Sequence, residues 1–116
     1  MPNSVLVVED HDLTRRTLVA LFRGHGWPVR AAATLKEALA QLEPAPATIL
    51  LDLMLSDGDG EEVLRQVRSS RLPSRVVVMT GMADRERLDR LRELKPDSIL
   101  RKPINFSNIL RKCLVE

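Results

Sequence analysis

Three stretches of this sequence run apolar, and a fourth is short and mixed; all four end on side chains that could do chemistry. Val5-Leu6-Val7-Val8 is followed by Glu9 and Asp10, and Ile49-Leu50-Leu51 runs into Asp52 and on to Leu53-Met54. Val76-Val77-Val78-Met79 closes on Thr80, and Asp97–Arg101 closes on Lys102. An acid inside so apolar a run is costly to desolvate unless something cationic meets it. Taken alone, Asp52 could be a strand-end carboxylate that reaches solvent; the other stretches, ending in the same way, argue for a site. If the four ends converge, Glu9, Asp10 and Asp52 place like charges together, and burial sharpens the repulsion. A hard divalent cation resolves that conflict, and carboxylate oxygens with retained waters suit magnesium. Lys102 adds a compact positive charge and Thr80 a hydroxyl. Cation, ammonium and hydroxyl around one carboxylate form a cradle for a transferred phosphoryl group. A carboxylate can also be the nucleophile, giving an aspartyl phosphate.

Convergence of this kind needs elements that bring strand ends together. Ser4 to Val8 reads as a buried strand. A helix follows from about Leu13 to Arg23, with Asp12 placed to cap it and Leu18, Leu21 and Phe22 on its inner face. Trp27 to Ala32 reads as a second strand. Thr34-Leu35-Lys36-Glu37 has the form of a capping box, and Leu35, Ala38, Leu39 and Leu42 repeat at helical spacing. Pro44 and Pro46 stop that helix before the strand carrying Asp52, and Ser56-Asp57-Gly58-Asp59-Gly60 is turn chemistry. Asp59 or Gly60 opens a third helix, with Val63, Leu64 and Val67 inward. Arg75 to Met79 is a fourth strand, and a charged helix runs from about Ala83 to Leu94 on a stripe of Leu88, Leu91 and Leu94. Asp97 to Arg101 is a short fifth strand. Phe106, Ile109, Leu110, Cys113 and Leu114 mark a last helix by their spacing.

Five strands alternating with five helices predict an α/β fold with a doubly wound parallel sheet covered on both faces. Right-handed crossovers leave few topologies, and a chain this short suits the flavodoxin-like strand order 2-1-3-4-5. Such sheets bind ligands outside the carboxyl ends of their strands. All the polar chemistry falls at that rim, whereas Pro44, Pro46, Pro73 and Pro96 at the opposite end only stop helices and return the chain.

Composition sets the remaining bounds. With 116 residues, 44% apolar and 29% charged, a single domain spanning 1–116 is expected. A net charge of +2 demands neither nucleic acid nor an anionic membrane as partner. No apolar run approaches a membrane span, and Val5 to Val8 is too short for a signal peptide and is followed at once by acids. The single cysteine, Cys113, falls on an apolar helical stripe and fits a reducing cytosol, so a cytoplasmic location is expected.

Glu9-Asp10, Asp52 within Leu50-Leu51-Asp52-Leu53-Met54-Leu55, the Asp57-Gly58-Asp59-Gly60 turn, Thr80-Gly81 and Lys102-Pro103 form an ordered set. On that set the whole chain resembles a receiver domain of two-component response regulators. The resemblance implies that Asp52 accepts a phosphoryl group from a phosphohistidine on a sensor kinase or phosphotransfer protein. It implies that Asp10 and Asp52 bind magnesium directly, Glu9 largely through water, and Met54 through its backbone carbonyl. Lys102 would hold the phosphate, Thr80 would move to bond it, and Lys102-Pro103 would be a cis bond. The readout would fall on the face of the fourth helix, fifth strand and fifth helix, toward an output partner or a second copy of the chain. That face includes Arg85, Glu86, Asp89, Arg90, Arg92 and Glu93, whose alternating signs suit a solvated surface equally well.

Other residues carry plainer expectations. Asp12, Asp57 and Asp59 read as caps or turn formers, His11 and His25 as surface residues, and Met54 and Met82 as gap-fillers or as shields flanking the mouth of the site. Two positions depart from the family pattern. Ile99 stands where an aromatic ring commonly turns inward as the threonine moves, and Ser56 stands where proline is common. Two other functions are open: a pseudo-receiver that signals without phosphate, and a magnesium phosphatase using an aspartyl nucleophile. Haloacid dehalogenase-type phosphatases place a second acid two residues after the nucleophile, where this chain has Met54.

Overall fold

Successive residues of the apolar runs point to opposite sides of one sheet, as the two-residue period of a strand requires. A computed structural model of the chain describes residues 4–81 and 85–114. The elements are β1 (Val5–Val8), α1 (Asp12–Gly24), β2 (Val29–Ala32), α2 (Leu35–Ala40), β3 (Thr48–Asp52), β4 (Met54–Leu55) and β5 (Gly58–Asp59). They continue with α3 (Glu61–Ser69), β6 (Arg75–Thr80), α4 (Arg85–Glu93), β7 (Ser98–Arg101) and α5 (Phe106–Cys113). Five strands pair in parallel in the order β2-β1-β3-β6-β7. This is the expected 2-1-3-4-5 order. What was not anticipated is a separate antiparallel hairpin, β4–β5, which pairs Met54 with Asp59 and Leu55 with Gly58.

Each face of the sheet has its own core. Val5, Val7, Leu50, Val77 and Met79 pack under α1 and α5 with Leu18, Phe22, Ile109 and Cys113. Leu6, Val8, Ile49, Leu51, Val76 and Val78 pack on the other face beneath α2, α3 and α4. Every residue of β1 and β3 is buried, which explains why these runs show no polar alternation. Burial pushes the Cys113 thiol up to about 12, with Arg75 opposing, so this cysteine packs as a small hydrophobe.

The helix ends differ in detail from the sequence reading. Asp12 is not the cap of α1: His11 is, its Nδ1 accepting the Thr14 N–H at 3.3 Å, while Asp12 sits in the first turn and pairs with Arg15 and Arg16. An imidazole acceptor placed one residue before the first helical N–H groups does what a carboxylate would. Thr34 caps α2 as expected, but Glu37 returns to the N–H of Ala33, so the box closes one residue early. Leu21 and Leu39 are partly exposed, at the rims of their helices' apolar faces. Trp27 lies before β2, buried against Phe22 with ring centroids 5.1 Å apart. Leu114 follows the end of α5 and is exposed.

Candidate functional site

Register does most of the assembly. Val8 lies opposite Leu51, so Glu9, one residue further, arrives beside Asp52. Asp52 lies opposite Met79, which brings Thr80 to the same rim. Thr80 lies opposite Arg101, and the Thr80 carbonyl accepts the Lys102 N–H at 2.9 Å. Four chain segments thus reach one point because parallel strands end together.

The side chains complete the site. Lys102 Nζ lies 3.1 Å from Asp52 Oδ2 and 3.5 Å from Glu9 Oε1. Asp52 Oδ1 accepts the Met54 N–H at 3.2 Å, and Glu9 Oε2 accepts the His11 N–H at 3.2 Å. Glu9 is 1% exposed and Asp52 4%, whereas Asp10 is the more open of the three acids. Carboxylate oxygens of Glu9, Asp10 and Asp52 lie within 4.8 Å of one another. Thr80 is buried beside them, and the Lys102–Pro103 bond is cis, as the resemblance implies.

Electrostatics mark the arrangement as incomplete by itself. Burial, and then the neighbouring Asp52 carboxylate, push the Glu9 carboxyl up to about 7, against the opposing pull of the His11 N–H and Lys102. Burial alone would lower the Lys102 ammonium, but the Asp52 and Glu9 carboxylates outweigh it and hold it above its ordinary value. One ammonium cannot neutralise three carboxylates, and among the described residues buried Glu9 Oε1 makes no hydrogen bond, its nearest cation being the Lys102 ammonium at 3.5 Å. An oxygen-only donor set with excess negative charge fits a hard divalent cation such as magnesium.

Several supports were not visible in the sequence. Arg15 donates to the carbonyls of Glu9 at 3.1 Å and Asp10 at 3.4 Å, holding the loop that carries both acids. Gly60 packs directly against the phosphoacceptor candidate's main chain: a Cβ there would lie 2.5 Å from the Asp52 carbonyl oxygen. Asp57, expected as a turn former, caps α2 from a distance, accepting the N–H groups of Leu35 and Lys36, and these bonds hold its carboxyl below its ordinary range. Asp59 accepts the Glu61 N–H and also pairs with Arg87. Such long-range partners leave no local pattern; only the turn-forming residue types signalled that the segment was special. Met54 is exposed, with its N–H on Asp52, and Met82 lies outside the described residues.

Residues 5–113 match the family of response regulator receiver domains. The chain belongs to that family. Among relatives of this receiver, a probable transcriptional regulatory protein, y4xI, of Sinorhizobium fredii is 36% identical over 104 residues, covering 89% of this chain and 46% of that protein. The KDP operon transcriptional regulatory protein KdpE of Escherichia coli is 36% identical over 108 residues, covering 91% of this chain and 47% of its own length. The receiver therefore spans about half the length of these relatives. Among solved structures, a CheY-like receiver domain protein from Methanospirillum hungatei superimposes with a TM-score of 0.89 at 26% identity, covering 97% of this chain and 90% of that one.

Proposed function

We propose that this receiver accepts a phosphoryl group on Asp52 from a phosphohistidine of a sensor kinase or phosphotransfer protein. The observation that carries the reading is Lys102 Nζ at 3.1 Å from Asp52, with Glu9 and Asp10 closing the acidic side. An oxygen of Asp52 forms the new P–O bond as the P–N bond to the donor imidazole breaks, and the imidazole takes up a proton. The Lys102 ammonium, paired with Asp52, would meet the phosphoryl oxygens as they gain charge, and Thr80 would move to bond them. Asp10 and Asp52 would hold magnesium directly, Glu9 largely through water, and Met54 by its carbonyl. Bound there, the ion supplies positive charge that offsets the carboxylates and the transferring group. The domain acts on itself and takes part in its own slow dephosphorylation, so it is a signalling unit rather than an enzyme with turnover.

Partner contacts follow from the two sides of the rim. The cleft between α1 and α5, lined by Thr14, Leu18, Ile104 and Ile109 and reaching Lys102, suits the phosphodonor; Leu13 stands exposed beside it. The output surface is the face of α4, β7 and α5, serving an effector or a second receiver, with no role for nucleic acid or membrane in residues 1–116 themselves. No helix among the described residues is long and apolar enough to cross a membrane, and a cytoplasmic location fits this reading. Ile99, partly buried against the core beneath α4, carries no aromatic ring, so an aromatic swing is not part of the output in this reading.

Intact-mass measurement after treatment with acetyl phosphate and magnesium tests the proposal. One added phosphoryl group in the natural protein and none in Asp52→Asn is the expected result. No labelling of either favours a pseudo-receiver, and sustained hydrolysis of a phosphoester favours the phosphatase.

A further inference from the structure

The fourth helix is tied to the hairpin behind Asp52 by one guanidinium. Arg87, two residues into α4, donates from Nη2 to Asp59 Oδ1 at 2.8 Å and lies with Nε 3.1 Å from Glu61 Oε2. Asp59 ends β5 and Glu61 begins α3. Between them stands Gly60, whose N–H bonds the Leu53 carbonyl at 2.9 Å and whose Cα abuts the Asp52 main chain. Glu61 is 3% exposed, an unusual state for a carboxylate at a helix start, and Arg65 and Arg90 approach it at 3.4 and 3.6 Å. An apolar residue would fill such a place without needing counter-charges. Meanwhile α4 is lightly anchored: Leu91 is its one fully buried residue, and most of its remaining length is charged. The position of α4 therefore rests on Leu91, on Leu88 packed partly buried against the core, and on the ion pairs of Arg87 with Asp59 and Glu61.

We propose that Arg87 is a positioning residue that couples the hairpin following Asp52 to α4, by holding Asp59 and Glu61 at once. Displacement of the hairpin moves two of the anchors of α4, and displacement of α4 releases both carboxylates flanking Gly60. Coupling of this kind is reciprocal. It supplies a link between site and output face that does not pass through position 99. This use of the clamp rests on the proposed phosphoacceptor reading; the clamp itself does not.

Amide hydrogen exchange on the full chain tests both parts. In the resting protein, Arg87→Gln should speed exchange at least about tenfold both in α4 and in residues 54–59, and Glu61→Gln should do so in α4. Arg87→Lys keeps the charge but not the fork, so it should leave at least one of the two segments loosened. Unchanged exchange in residues 54–59 of Arg87→Gln overturns the clamp. With magnesium and beryllofluoride, the natural protein should respond in both segments and Arg87→Gln in residues 54–59 alone. An α4 response equal to the natural one in Arg87→Gln overturns the coupling. If the natural protein shows no response to the ions, the phosphoacceptor reading fails, and the resting-state arm still decides the clamp.

Discussion

The Lys102 ammonium stands 3.1 Å from an oxygen of Asp52, a residue fifty positions earlier in the chain. Among the described residues that pair is the one direct charge neutralisation of the phosphoacceptor candidate, and the ammonium is shared with Glu9 at 3.5 Å. Replacing Lys102 with alanine removes the donor aimed at the phosphoryl group. The rate of Asp52 labelling by acetyl phosphate should fall by about 10². A rate within a factor of three of the natural one would rule out that role.

Magnesium should stabilise the fold, because only the native state brings the three acids together. At free ion a hundred times Kd, the gain is about 2.7 kcal/mol, or about ten degrees in melting temperature for a domain of this size. Asp52→Asn should blunt the rise. Trp27, buried against Phe22 at the beginning of the sheet, should report the titration poorly by fluorescence. A flat melting temperature in the natural protein would remove the metal role.

Glu9 sets a pH dependence. Its carboxyl stands near 7 in the folded state against 4.5 ordinarily, so between those values the native state holds more protons than the unfolded chain. Stability of the metal-free protein should therefore be greatest below pH 4.5 as far as Glu9 is concerned, fall as pH rises toward 7, and level off above it. At about 1.4 kcal/mol per pKa unit, the loss is about 3–4 kcal/mol at most. Glu9→Gln should flatten the slope in urea melts taken across this range. Because the cation binds the deprotonated form, stabilisation by magnesium should grow through pH 7.

Gly60 has an ordinary helical backbone angle, so conformational freedom is not what requires it. Contact is: a methyl group would meet the Asp52 carbonyl at 2.5 Å and Leu53 Cα at 2.9 Å. Both obstacles are main chain and cannot swing aside. Gly60→Ala should cost about 2 kcal/mol or more in urea unfolding. A loss below about 0.5 kcal/mol would show that the loop has room to shift.

Met54 presents an exposed side chain directly after the loop bond to Asp52. If it shields the phosphoryl group from water, Met54→Asn should shorten the lifetime of phosphorylated Asp52 several-fold without altering the melting temperature. Equal decay rates for the two proteins would reject shielding.

Much of this was legible in the residues themselves. Continuous apolar runs of strand length identified β1, β3 and β6, and a polar residue at each run's end marked the rim where Glu9, Asp10, Asp52, Thr80 and Lys102 meet. Both signals are local: burial on two faces erases alternation, and parallel strands share a direction, so the same end of each run reaches the same place. What tertiary structure alone decided is which distant groups satisfy one another. Asp57 caps a helix begun twenty-two residues earlier, Glu61 is buried among arginines of another helix, and Gly60 leans on the main chain of Asp52. Hydrogen bonds and ion pairs of that kind depend on distances set by packing, and no spacing along the chain encodes them.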